Sequence, residues 1–168
     1  MAFAEYAWLI PIFPLIAFVV IGFLGNRLFK KWEGGAPVAI LMTAISLVLA
    51  LAVAFEALTT GDGTPFVQSL EWLVVQSGEF NFTFNMGIYI DNLSALMLIV
   101  VAFISTLVVI YSLGYMHEEG EKKRRYYAVI SLFISVMLGL VLASNFLQMF
   151  IFWELVGLCS YLLIGFWN

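Results

Sequence analysis

A chain of 168 residues that is 64% hydrophobic and only 11% charged carries more apolar surface than a soluble domain of that size can bury, and it is read as an integral membrane protein. One cysteine, placed mid-helix, excludes an internal disulfide and a multi-cysteine metal site, and a single histidine argues against a metal centre. There is no P-loop and no dinucleotide-binding glycine fingerprint, and the net charge of −4 says less than the places where the charges lie.

The N-terminal MAFAEYAW lacks a basic n-region, so a cleaved signal peptide is not expected. A first span is predicted over about 8–24, with Pro11 and Pro14 in its first turns, where a missing N–H costs little or makes a kink. Gly25-Asn26 ends it, and Arg27, Lys30 and Lys31 follow. Gly34-Gly35 and Pro37 open a second span, about 36–58. Glu56, in its last turn, is read as interfacial and solvated.

Residues 59–90 form the one extended non-helical region. GDGTP (61–65) reads as a turn. From Phe80 to Ile90 the even positions are Phe, Phe, Phe, Met, Ile and Ile, and the odd ones are Asn, Thr, Asn, Gly and Tyr. That alternation predicts a strand with one apolar face. Leu70, Trp72 and Val74 alternate more weakly before it, and Gln76-Ser77-Gly78-Glu79 suits a turn, giving a hairpin over about 69–90. Two strands alone are only marginally stable, so the hairpin must pack on its own helices or on another subunit.

Asp91-Asn92 precedes a third span, about 93–115. Asp91 fits an N-cap, where its carboxylate meets free N–H groups; a second possible role is in a proton path. His117 follows the span in an acidic and basic loop and reads as a solvated residue whose titration range also permits proton shuttling. From Tyr126 to Trp167 the chain is apolar almost throughout. As one helix it would reach about 60 Å, twice the hydrocarbon thickness, so it must fold into two spans, about 127–143 and 146–166. Ser144-Asn145 is the one plausible turn between them.

All seven basic residues fall in two clusters, Arg27, Lys30 and Lys31 against Lys122, Lys123, Arg124 and Arg125. The positive-inside rule places both clusters in the cytoplasm, with an even number of spans between them. Hydropathy supplies two. The N-terminus then lies outside, the hairpin outside, and Asn168 inside.

One ionisable residue interrupts the fifth span: Glu154, roughly 3 Å from its middle along the axis. A carboxylate there costs about 3 kcal/mol on insertion scales, and no basic residue sits a turn away. It is either a protonated, passive residue in a bundle or a proton-binding site. Phe150, Gly157, Tyr161 and Gly165 fall on its side of the helix, and Cys159 points the opposite way. The two glycines permit close approach of a neighbouring helix, which plain packing would also explain.

WELVGLCSYLLIGFW (153–167) resembles the fifth-helix signature of the largest, L-type, antiporter-like subunit of respiratory complex I and of its archaeal deazaflavin-oxidising relatives. The resemblance is strongest over 126–167, fair at YIDNLSALM (89–97) and YSLGYM (111–116), and rests mostly on helix order before residue 60. Multi-subunit cation/proton antiporters share the fold, but their motif usually departs from VGLCSYLLIGFW. The resemblance implies that Glu154 is a key proton-path residue; by their own chemistry Asp91, Tyr161 and His117 are possible further members of the path. It implies a lysine on a later helix as the moving cation, in a family whose members are far longer, so that residues 1–168 would be a single transmembrane domain at the N-terminal end of a longer subunit.

The expected fold is therefore an all-α membrane bundle of five spans with a β-hairpin in the loop between spans two and three. The function implied is proton translocation in the membrane arm of a redox-driven pump in a prokaryotic plasma membrane. NADH or a reduced deazaflavin, flavin, iron–sulfur clusters and quinone are expected on other subunits and none in this chain. The expected partners are the bilayer, other antiporter-like subunits, the continuation of the chain and, indirectly, a redox arm; nucleic acid is not expected. A cation/proton antiporter subunit and a non-pumping assembly subunit are the alternative readings.

Overall fold

The structure is a computed structural model that describes residues 3–25, 33–60, 64–77, 80–118 and 120–167. The expected positions of Arg27, Lys30 and Lys31, of 61–63 in the GDGTP turn and of Gly78-Glu79 in the hairpin turn lie outside the described residues. Among the described residues five helices are long and apolar enough to cross a membrane: Ala4–Leu24, Ala36–Thr59, Asn92–Tyr115, Lys123–Val141 and Phe146–Ile164. We label the regular elements α1 (Leu9–Val19, running on as a π-helical turn at Val20–Leu24), α2 (Ala36–Thr60), β1 (Phe66–Ser77), β2 (Phe80–Ile90), α3 (Asn92–Tyr115), α4 (Lys123–Val141) and α5 (Phe146–Ile164).

The core sits where α1, α2, α3 and α4 meet, and small residues line it. Ala17, Ala39, Ala50, Ala54, Ala95 and Ala102 are all buried among Ile10, Ile21, Leu98, Ile134 and Leu138. Without a hydrophobic drive between helices in lipid, close backbone approach is what holds them. Large apolar side chains such as Phe23, Phe55, Val48 and Phe103 point outward instead, as a lipid-facing surface allows.

Pro14 lies inside α1 and leaves the Ile10 carbonyl without its usual partner four residues on. Ser46 of α2 donates its hydroxyl to that carbonyl at 2.6 Å. Ser135 of α4 donates to the neighbouring Pro11 carbonyl at 2.7 Å. In the membrane a freed carbonyl needs such a donor from the next helix, so the proline-bearing helix and its two neighbours are matched.

Glu56 departs from the sequence expectation. It is only half-exposed, and its Oε2 accepts the backbone N–H groups of Phe3 at 2.8 Å and Ala4 at 3.2 Å. The 3-10 turn Ala4–Tyr6 has no side-chain cap of its own, and its open amides draw the carboxylate out of the solvent.

The hairpin forms as alternation predicts, but begins earlier, at Phe66, and carries one bulge. Phe66 opposes Ile90, Gln68 opposes Ile88 and Leu70 opposes Met86; then the register shifts between Glu71 and Leu73. Beyond the shift Val74 opposes Thr83. Leu70 and Val74 therefore stand against opposite faces of β2, which corrects their grouping with Trp72 as one alternating set: an extra residue in one strand exchanges the faces beyond it. On β2, Ile88 and Ile90 are buried while Thr83 and Asn85 are exposed.

The hairpin packs on its own helices. Tyr89 N–H donates to the Leu142 carbonyl at 3.0 Å, and Ile88 makes an isolated antiparallel bridge to Ala143. At the other end of the bundle Gly34 (φ 67°) lies so close to α4 that an added Cβ would stand 2.8 Å from Lys123 Cβ, and one added at Gly25 would stand 2.6 Å from Arg124 Cδ. The segments flanking the two basic clusters thus converge on one end of the bundle, opposite the hairpin.

Candidate functional site: an acid on the outer face of the fifth span

The turn before α5 forms because Asn145 can leave the helical region. Its backbone is extended (φ −150°), and its side-chain oxygen accepts the Gln148 N–H at 2.9 Å, the bond that starts a helix. From that cap the helix carries Glu154 nine residues in, about 13 Å along the axis and one residue from the centre of the 19-residue helix.

The helix face predicted for Glu154 is the face turned away from the bundle. Glu154, Gly157 and Tyr161 are exposed in this chain, as are Phe150, Trp153 and Leu158. Cys159 is fully buried on the opposite face, as the wheel predicts. Among the described residues no hydrogen bond or ion pair reaches the Glu154 carboxyl. An added Cβ at Gly157 or Gly165 would meet nothing within 4 Å, so neither glycine is required by packing within this chain. The glycine that brings α4 and α5 together is Gly139, where an added Cβ would stand 2.6 Å from the Phe152 ring.

The other predicted residues do not gather around Glu154. Tyr161 shares its face but stands seven residues, about 10 Å, further along. Asp91 and His117 flank opposite ends of the 24-residue α3, about 36 Å apart, and cannot belong to one site. His117 is exposed in a turn.

Asp91 is the N-cap of α3: its Oδ1 accepts the Ser94 N–H at 2.7 Å. Hydrogen bonds from Ser94, backbone first and side chain second, hold its carboxyl below the usual carboxylate range. A depressed pKa contributes stability that is present above the unfolded value of about 3.9 and is lost as pH falls through the folded one. Asp91→Ala should therefore cost about 1 kcal/mol near neutral pH, and its deficit relative to wild type should shrink below pH 4. Asp91→Asn, which still caps, should be nearly neutral. Hydrogen exchange in the first turn of α3, followed as pH is lowered, checks this; a deficit that grows at low pH would refute the capping role.

Sequence reasoning passed over Gln148 and Gly87. The Gly87 N–H donates to Gln148 Oε1 at 3.0 Å, and Gln148 Nε2 donates to the Gly87 carbonyl at 2.9 Å. Two signals were available: a lone amide in an apolar span and a lone glycine in an alternating strand, which marks close backbone approach.

The fold and the site define a five-span membrane bundle with small-residue packing, a hairpin on one end and a mid-span acid on an outer face. Residues 72–127 match the family model described as NADH-ubiquinone oxidoreductase (complex I), chain 5 N-terminus. Residues 143–168, with Glu154 among them, match the transmembrane family of NADH:quinone oxidoreductase and Mrp antiporters. Over 98% of its length the chain is 42% identical to the chloroplastic NAD(P)H-quinone oxidoreductase subunit 5 of Mesostigma viride, of which it covers 25%. Over 99% it is 45% identical to F(420)H(2) dehydrogenase subunit L of Methanosarcina mazei, of which it covers 23%. The fold is also that of a chain in the membrane-bound sulfane sulfur reductase, an archaeal respiratory membrane complex, with a TM-score of 0.67 at 20% identity over 94% of this chain and 29% of that one. By these matches the chain is similar to proteins described as NAD(P)H-quinone oxidoreductase subunit 5 and F(420)H(2) dehydrogenase subunit L, and residues 72–127 are similar to the N-terminus of complex I chain 5. It spans about a quarter of the length of these curated relatives.

Proposed function

We propose that this chain is the N-terminal part of a proton-translocating subunit in the membrane arm of a redox-driven, complex I-like pump. Glu154 binds and releases the proton. The observation that carries this reading is the placement of one carboxyl at mid-span, on a face exposed in this chain, inside the segment that matches the NADH:quinone oxidoreductase/Mrp antiporter transmembrane family. An isolated membrane acid is costly, and another segment that approaches Gly157 would enclose it. Burial favours the neutral carboxyl, and an approaching cation favours the charged one. A cation that moves toward and away from the acid would make it release and take up a proton. Asp91 and His117, at opposite ends of α3, suit the two membrane surfaces rather than the Glu154 site. The electron donor, flavin, iron–sulfur clusters and quinone are assigned to other subunits, and no residue of this chain is assigned to hold them. The deciding experiment is proton pumping by the intact complex carrying Glu154→Gln.

The orientation follows from the basic clusters: the basic end is cytoplasmic in a prokaryotic plasma membrane, and the hairpin is outside. Ser69→Cys on the hairpin and Glu118→Cys past α3 should label with an impermeant maleimide from opposite sides, Ser69→Cys from outside. Both positions are exposed. Labelling of both from one face would overturn this topology.

A further inference from the structure

The fifth span has no stripe that sets its rotation. Apolar residues run round its whole circumference, and lipid tails are as apolar as leucine, so burial does not favour one azimuth over another. Specific contacts must do so. Within this chain only Gln148 and Cys159 of α5 are buried. The Gln148 amide pairs with both backbone groups of Gly87, and the Ser144 hydroxyl donates to the same Oε1 at 3.2 Å. Asn145, which caps the helix, donates from its Nδ2 to the Asn85 carbonyl at 2.6 Å. One turn further on, the Phe152 ring lies over Gly139. Away from water such an amide pair is costly to break, because both partners are left unsatisfied.

Gln148 and Glu154 are six residues apart, which places them about 120° apart around the helix. Pinning Gln148 against the hairpin turns Glu154 outward. We propose that Gln148 is a positioning residue: clamped on the Gly87 peptide, its amide fixes the rotation of α5 and so the direction in which Glu154, Gly157 and Tyr161 point. The consequence for proton transfer rests on the reading of Glu154 given above; the rotation does not.

Cys159 is the chain's one cysteine, fully buried on the face opposite Glu154, and it reports the rotation. In the assembled complex, Gln148→Leu roughly keeps the volume and removes every hydrogen bond of the side-chain amide, while the backbone N–H stays on the Asn145 cap. Reaction of Cys159 with N-ethylmaleimide, read by peptide mass spectrometry, should rise several-fold over wild type, and the pumping rate should fall. Should Gln148→Leu fail to assemble, Ser144→Ala removes the hydroxyl that donates to Oε1 and accepts from Asn145 Nδ2, leaves the Ser144 N–H on Oε1, and should still raise Cys159 labelling measurably. Wild-type protection of Cys159 in the assembled Gln148→Leu complex, or in Ser144→Ala where that is the variant used, would overturn the proposal. Raised labelling with undiminished pumping would keep the rotation and overturn its link to proton transfer. Loss of pumping in Glu154→Gln beside unchanged Cys159 labelling in Gln148→Leu would sink the positioning role and leave the Glu154 reading standing.

Discussion

Glu154→Gln in the intact complex should assemble as well as wild type and lose most of its proton pumping. The substitution keeps shape and hydrogen-bonding capacity but removes the titrating proton. Within this chain no described residue depends on the carboxyl, so folding of the five spans should not suffer. Removing a charge that would otherwise need to be neutralised in the membrane should hold stability level or raise it slightly. Electron transfer should fall with pumping if the two are tightly coupled. Glu154→Asp shortens the reach by about 1.5 Å, roughly one bond, and should keep partial activity. A packing role predicts the reverse: Gln tolerated in every assay, with damage only from bulky residues. Vesicles containing the reconstituted complex and a pH-sensitive dye separate the two, and normal acidification by fully assembled Glu154→Gln would leave Glu154 a packing residue.

Much of this architecture was legible in the sequence because membrane spans are read from length and apolarity, and five such segments exist. Ser144-Asn145 had to be a turn because forty-odd apolar residues are too long for one crossing, and Asn145 does cap α5. Asp91 was readable as a cap because an acidic residue stands directly before an apolar helix, and it does cap α3. The outward face of Glu154 was readable as an angular set, Phe150, Gly157 and Tyr161 against Cys159, but not as outward: periodicity gives the relative angles of residues on a helix and says nothing about which side meets the bundle when all sides are apolar.

What escaped reading were pairings between distant segments. Glu56 sits in the last turn of its span, where an interfacial, solvated place is the local expectation; the amides of Phe3 and Ala4 that meet it come from another segment. Ser46 and Ser135 are unremarkable in their own spans and acquire a role only because Pro14 disturbs the carbonyls of another. The bulge at Trp72 was hidden because one extra residue exchanges strand faces without leaving a compositional trace. In each case the local segment has no signal, and the tertiary neighbour decides.

Gly87 and Gly157 test this distinction between contacts inside the chain and contacts reserved for something outside it. Gly87→Ala should be strongly destabilising. Its added Cβ would press on the Gln68 carbonyl oxygen and stand 2.8 Å from Ser144 Oγ and 3.0 Å from Ser69 Cα. Two of these three neighbours are backbone of the paired strand, so no rotamer change relieves the clash. Either β1 or the turn before α5 must move, and the Gln148 amide loses one or both bonds to Gly87. Overpacking of about 1–3 kcal/mol together with loss of a buried pair worth about 1–3 kcal/mol should lower assembly yield and thermal stability of the complex markedly. Gly157→Ala should leave this chain's own fold unharmed, since its Cβ meets nothing within 4 Å and alanine favours a helix interior more than glycine does. In the assembled complex the same methyl should weaken assembly or pumping if another segment packs over Glu154 at glycine distance. Native gels and thermal scans of the two variants, side by side, read both contacts. A Gly87→Ala complex as stable as wild type would refute the clamp between hairpin and helix. A Gly157→Ala complex normal in assembly and pumping would show that nothing approaches the Glu154 face closely enough to need glycine.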